Sequence, residues 1–303
     1  MTDLLSALRD ACAQVAARSR QVRIDESAIP GYAERLSSEP APGGGPDPHS
    51  HLTEGSREDR AAFWLTLDAI NFGSGWFPTL RKRAARSGYH TIASGLTDHG
   101  PWRIDELRRI DAAAVALALG QDPEHELMAL FADSLRDLGR RVAEAGSFTA
   151  VVDEAGGSAA NLVERLAGWR CFADGSCYDG FRVPFLKRAQ ITAADLHRAG
   201  VARFTDLGRL TMFADNLVPH VLRLDGVLAY DPGLVARIDR GELIGHGSPE
   251  EVEIRACALQ AVELIVAGRP GTRAADLDQQ LWLRGQGEHY KARPRHRARC
   301  TAY

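Results

Sequence analysis

The stretch Ser248-Pro249-Glu250-Glu251-Val252-Glu253-Ile254-Arg255-Ala256 opens with a nearly complete helix start. A serine at the cap accepts a backbone hydrogen bond, a proline at the first helical position has no N–H to lose, and Glu251 follows the serine by three residues. Behind it Val252, Ala256, Leu259, Val262 and Val266 recur at steps of three and four, the spacing of one helical face. The same signals appear on either side. Asp231-Pro232 opens a short helix that stops at Gly241, and Thr192 with Asp195 forms a capping-box-like start closed by Gly200. Ser56 with Asp59 starts a helix running to about Phe72, with Phe63, Leu67 and Ile70 on one stripe. Helical periodicity also covers about 2–20, through Leu4, Leu8, Cys12 and Val15, and about 104–119, 123–145 and 158–172. Strand signals are brief, at 149–152 and 226–229. The chain reads as mainly α-helical, with at most a few short strands.

Composition narrows the function classes. A chain of 303 residues that is 45% hydrophobic can bury a large core. The formal net charge is −3 and the isoelectric point about 6.4, so no global field draws it to nucleic acid or to an anionic membrane. No apolar run suits a bilayer span and no signal pattern opens the chain, so a cytoplasmic location is expected. The five cysteines, Cys12, Cys171, Cys177, Cys257 and Cys300, are scattered without a C-x-x-C pair, which fits reduced thiols rather than a disulfide framework or a zinc site. Phosphate loops, dinucleotide fingerprints, H-E-x-x-H and G-x-S-x-G motifs are absent. No cofactor and no metal is expected. Residues 37–48, rich in proline and glycine, read as a linker or loop. The expected organisation is 1–55, an N-terminal helix and Pro/Gly-rich loop packing on the core, and 56–303, a single compact unit.

The segment richest in chemistry is Thr211-Met212-Phe213-Ala214-Asp215-Asn216-Leu217-Val218-Pro219-His220-Val221-Leu222-Arg223. It sets one carboxylate, Asp215, among apolar and aromatic neighbours, where an ionised group loses hydration. Two readings are open: Asp215 or Asn216 caps the helix that Pro219 begins, or Asp215 is a catalytic carboxylate. Upstream, Phe185-Leu186-Lys187-Arg188-Ala189-Gln190-Ile191 puts Lys187 before two short helices, a glycine turn and a loop that lead to Asp215. That order resembles helix-hairpin-helix DNA glycosylases, in which a hairpin lysine precedes a catalytic aspartate. Lys187 as an ordinary solvated lysine is the competing reading.

A closer resemblance covers about His49 to the C-terminus. The blocks Phe185–Ile191, Leu210–Asp215, Val218–Arg223 and Gly247–Ala256, with Leu67-Asp68-Ala69-Ile70-Asn71-Phe72 and Pro294-Arg295-His296-Arg297-Ala298-Arg299, are similar to the queuosine salvage protein family. The resemblance implies a helical, DNA-glycosylase-like fold with a helix-hairpin-helix-like element. It also implies an enzyme that hydrolyses queuosine 5′-monophosphate and releases queuine for tRNA modification, with that nucleotide as its small-molecule partner and no stable nucleic-acid or membrane partner. Asp215 would stabilise the oxocarbenium-like transition state, attack C1′ or orient water. Lys187 would contact the phosphate or hold Asp215 ionised.

The remaining candidates follow from the blocks and from substrate chemistry. Queuine carries an ammonium arm, for which Asp68, Asn71, Phe72, Trp76 and Glu253 are candidates. Phe213 and Asn216 flank Asp215 and complete the substrate-binding set. His51, His220 and Arg255 are further sources of charge for the phosphate. Each has an alternative: Phe72 and Trp76 as core, Glu253 with Arg255 as a helix-surface pair, Asp68 on a solvated face, His49 and His51 as surface histidines. Many family members carry tyrosine, arginine and glutamine where this chain has Asn216, Leu217 and His220, which bears on substrate preference. Two other functions stay open, a glycosylase acting on another modified nucleobase and a non-catalytic helix-hairpin-helix binding module.

Overall fold

The computed structural model describes residues 3–38 and 46–303, so residues 39–45 of the expected linker lie outside the described residues. The structure is mainly helical; the strands among the described residues are four, each of three residues, in two small antiparallel sheets. No helix among them is long and apolar enough to cross a membrane. The chain forms two compact units. One gathers the described part of Met1–Gly43 with Asp174–Lys187 and Leu207–Cys300, and the other gathers the described part of Gly44–Ala173 with Arg188–Asp206 and Thr301–Tyr303.

The first unit is built on the Pro249–Ala267 helix, which packs along the Leu4–Arg18 helix. The expected start is present, with Ser248 Oγ accepting the Glu251 N–H at 3.3 Å. Beyond the predicted apolar stripe, every residue from Glu251 to Leu259 is buried. A helix buried on all faces that still carries Glu251, Glu253 and Arg255 requires each charge to be paired. The surface-pair reading of Glu253 and Arg255 is therefore overturned, since both are fully buried. Val22–Ile24 pairs antiparallel with Leu228–Tyr230, so the strand expected at 226–229 starts two residues later, after a turn at Gly226 with φ of 82°. Ser176–Tyr178 pairs with Phe181–Val183 across Asp179 and Gly180, whose φ values of 45° and 86° suit a tight hairpin turn.

The second unit is centred on the Arg57–Ala69 helix, whose predicted capping box between Ser56 and Asp59 is formed and which is buried from Ala61 through Ala69. The expected strand at 149–152 is instead the Phe148–Asp153 helix. Its β-branched residues suggested extension, but Ser147 Oγ accepts the Ala150 N–H and the Glu58 carboxylate accepts those of Phe148 and Thr149. With its first donors satisfied in this way, the helix outcompetes propensity. The pattern at 104–119 divides into Ile104–Leu107 and Ala112–Leu119, the latter capped by Asp111.

The expected helix start at Thr192 is corrected. One helix runs Lys187–Arg198, and Thr192 sits inside it with its hydroxyl bonded to the Arg188 carbonyl at 2.8 Å. In place of two short helices between Lys187 and Asp215, there is this helix and a 3-10 turn at Leu207–Arg209. The earlier start has a distant cause: Asp174 Oδ2 accepts the Lys187 backbone N–H at 2.9 Å.

Candidate functional site

Every residue from Leu210 to Leu222 is buried except Asp215, which is half-buried. Asp215 Oδ1 accepts the backbone N–H groups of Leu217 at 2.7 Å and Val218 at 3.3 Å. It thereby steadies the entry to the Val218–Leu224 helix, where Leu217 offers no side-chain cap. The capping reading is thus fulfilled by one oxygen, while Oδ2 takes no hydrogen bond from any described residue. One carboxylate oxygen is pinned to backbone donors and the other is not.

The loop around Asp215 is fixed residue by residue. The Phe213 N–H donates to Asp278 Oδ1 at 3.0 Å, and the Phe213 ring is buried. The Ala214 carbonyl accepts from Arg255 Nε at 2.8 Å. Asn216 Nδ2 donates to the His296 carbonyl at 3.0 Å. His220 Nε2 meets the Tyr290 carbonyl at 2.9 Å, so that nitrogen carries the proton, and burial lowers the ring's pKa to about 4. His220 is therefore neutral near pH 7 and supplies a hydrogen-bond donor rather than a charge.

Arg255 links this loop to Lys187. Its Nη2 donates to both Asp174 oxygens at 2.9 and 2.8 Å, its Nη1 faces Glu251 Oε1 at 3.4 Å, and its guanidinium lies 3.8 Å from the centre of the Phe185 ring. Asp174 also holds the Lys187 backbone, so one buried guanidinium ties the Ala214 carbonyl to the start of the Lys187 helix. The Lys187 side chain is buried at 5% exposure, which excludes the solvated-lysine reading. Burial opposes the charge on Glu251, but Arg255 and a hydrogen bond from His246 outweigh it and draw the pKa down to about 2. Glu253 points elsewhere: Oε2 accepts the N–H groups of Arg20, Gln21 and Val22 at 3.0, 2.6 and 3.1 Å, and Oε1 accepts from the Tyr178 hydroxyl at 2.8 Å.

The second unit holds the other candidates. Asp68 is fully buried, with Oδ1 at 3.5 Å from Asn71 Nδ2, which excludes the solvated-face reading. Phe72 is buried edge-to-face against Phe131 and beneath the Arg188 guanidinium, and Trp76 donates Nε1–H to Glu126 at 2.7 Å. His51 accepts the Asp47 N–H on Nδ1 at 3.0 Å, so Nε2 carries the proton toward the Tyr89 hydroxyl at 2.9 Å. Burial lowers its pKa to about 4, and it is half-buried beside Trp64, while His49 is exposed. Among the described residues no group of three His, Cys, Asp or Glu side chains is placed to hold a metal ion.

Sequence reasoning missed Asp174 and Arg295. Asp174 precedes a glycine and looks like a turn residue; only folding brings it to Arg255. Arg295 lies in the Pro294–Arg299 block that resembles the family, and no role was assigned to it from the sequence. It is half-buried, with Nε fully shielded and without a hydrogen-bond partner. Burial makes its charge costly, and the negative charge of Asp215 offsets part of that cost.

Residues 50–303 match the family model described as queuosine salvage protein. A protein of Sphaerobacter thermophilus named queuosine 5′-phosphate N-glycosylase/hydrolase is 35% identical over 96% of this chain and 95% of its own length. A Dictyostelium discoideum protein of the same name is 31% identical over 80% of this chain and 78% of its own. The Mus musculus protein of that name is 35% identical over 52% of each chain.

Proposed function

The chain belongs to the queuosine salvage protein family, and we propose that it is an N-glycosidase that hydrolyses queuosine 5′-monophosphate and releases queuine. The C1′–N bond breaks, the hydroxyl of water joins C1′, and its proton completes the departing base. Positive charge builds on the sugar as the base leaves, so a carboxylate already in place lowers the barrier without reorganisation. The single observation that carries the reading is Asp215, the one accessible residue in a buried run, with Oδ1 held and Oδ2 open. A 7-deazapurine has no N7 to protonate, so the stabilised sugar cation bears more of the catalytic load.

In this reading Lys187 supports the site as a cation, and Arg255 is a positioning residue that holds the Ala214 carbonyl and, through Asp174, the Lys187 backbone. Phe213, Asn216 and His220 shape the loop. Glu253 leaves the substrate-binding set, because its two oxygens are engaged by the Arg20, Gln21 and Val22 N–H groups and the Tyr178 hydroxyl. The released base serves tRNA modification, and the scattered cysteines suit a cytoplasmic enzyme.

The test is base release, followed by mass spectrometry, from queuosine 5′-monophosphate, queuosine and guanosine 5′-monophosphate. The expected outcome is queuine from the first, less from the second and no guanine from the third. Guanine release at a comparable rate, or no release from any of the three, would overturn the reading.

A further inference from the structure

Arg295 and Arg297 are neighbouring guanidinium groups, and Arg295 lies within reach of the charge of Asp215 without being paired to it. Arg295 feels both the negative charge of Asp215 and the positive charge of Arg297. Among the described residues neither arginine makes a salt bridge or side-chain hydrogen bond, and the shielded Nε of Arg295 is unsatisfied. Both are half-buried, so their desolvation is not fully relieved by water. Two neighbouring cations, one of them within reach of the Asp215 charge but not paired to it, form an arrangement that an incoming anion would stabilise.

The backbone around Arg295 is held on either side. Arg223 Nη2 donates to the Pro294 carbonyl at 3.0 Å, and Asn216 Nδ2 donates to the His296 carbonyl at 3.0 Å. Both clamps come from the segment that carries Asp215, so the position of Arg295 relative to that carboxylate is set by the same loop and helix. Arg255, in contrast, has its donors engaged by Ala214, Glu251 and Asp174, and His220 is neutral. In a nucleoside 5′-phosphate the phosphate hangs from the ribose whose C1′ faces the catalytic carboxylate. Its receptor must lie near Asp215 yet not be salt-bridged to it.

We propose that Arg295, assisted by Arg297, is the receptor for the 5′-phosphomonoester of the substrate. Arginine forks match phosphate oxygens in bidentate geometry, and the half-buried forks of Arg295 and Arg297 are not engaged by any described residue. The inference rests on the proposed function for the identity of the nucleotide and on the geometry for the site itself.

The experiment is a calorimetric titration of ribose 5-phosphate and of ribose into the wild-type protein, Arg295→Gln and Arg297→Gln, with thermal midpoints as a check on folding. The wild type should bind ribose 5-phosphate and not ribose, and Arg295→Gln should weaken it about 10–100-fold, the range for a lost charge-assisted hydrogen bond. Arg295→Lys should recover only part, because an ammonium makes no fork. Equal binding in wild type and both variants, or no binding by the wild type, would overturn the proposal. In parallel kinetics Arg295→Gln should raise KM for queuosine 5′-monophosphate by a larger factor than for queuosine; equal losses on both substrates would show a merely structural role. A wild type that binds ribose 5-phosphate but releases no base would sink the proposed function and leave the phosphate receptor standing.

Discussion

At the scale of single residues, buried charges satisfy one another. Arg255 is the sharpest case: fully buried, it is the common partner of Asp174, Glu251 and the Ala214 carbonyl. Removing it would strand two carboxylates in the interior, and breaking such a pair costs about 3–5 kcal/mol, more than the side chain's packing alone. Arg255→Ala should therefore lose about that much in urea unfolding, and a loss below about 1 kcal/mol would show that water or another group takes over. Arg255→Lys should recover little, because a point charge cannot serve both Asp174 oxygens and Ala214. Asp215 was legible in the sequence, since a carboxylate amid Met212, Phe213, Ala214 and Leu217 is conspicuous without any partner in view. Asp174 and Arg295 were not. The role of Asp174 is made by contacts 13 and 81 residues away along the chain, and a local pattern carries no trace of them.

At the scale of elements, the locally capped starts at Ser56, Asp231 and Ser248 were read correctly, the locally capped Phe148–Asp153 helix was read as a strand, the Ser87-capped Gly88–His99 helix was missed, and the start with a distant cap was misplaced. Ser56 and Ser248 bond donors within their own first turn, whereas Lys187 is capped by Asp174. The hairpin around Asp179 and Gly180 was missed although an Asp-Gly pair is its usual mark; strands of three residues give too short an alternation to notice. Packing between elements adds a constraint that sequence does not display. Gly285 closes the Ala274–Arg284 helix, and a methyl there would lie 2.9 Å from Leu217 Cδ1 and Cγ and 3.0 Å from Val221 Cγ2. Leu217 donates to Asp215, so the clash reaches the carboxylate. Gly285→Ala should destabilise the fold by about 1–3 kcal/mol, as overpacking does, and lower base release. Leu217→Ala combined with it should cost less than the sum of the two single changes. Strict additivity in that double-mutant cycle would contradict the packing described.

At the scale of the whole molecule, titration of buried histidines shapes stability. Burial holds His51 and His220 at about 4 and His296 at about 3, against 6.5 for a free histidine. Their folded pKa values are depressed, so the unfolded chain takes up protons first, and stability falls as pH drops below about 6.5, levelling off only below the folded values. His246 runs the other way: hydrogen bonds to Cys300 and Glu251 raise it to about 10, giving stability that is full below about 6.5 and lost as pH rises through 10. Three groups act on the acid side and one on the alkaline side. The thermal midpoint should therefore peak near neutrality and fall more steeply toward about pH 4.5 than toward about pH 9. A midpoint that holds steady or rises on acidification would contradict the neutral, buried state of these rings. The claim that joins these scales is that one carboxylate in a buried run performs the chemistry. The most direct measurement is single-turnover release of queuine from queuosine 5′-monophosphate by the wild type and by Asp215→Asn, with thermal midpoints measured alongside. The amide keeps an oxygen for the Leu217 and Val218 N–H groups but lacks the charge, so the variant should stay folded and lose about two to three orders of magnitude or more in rate. A folded variant that releases queuine at the wild-type rate would contradict the account.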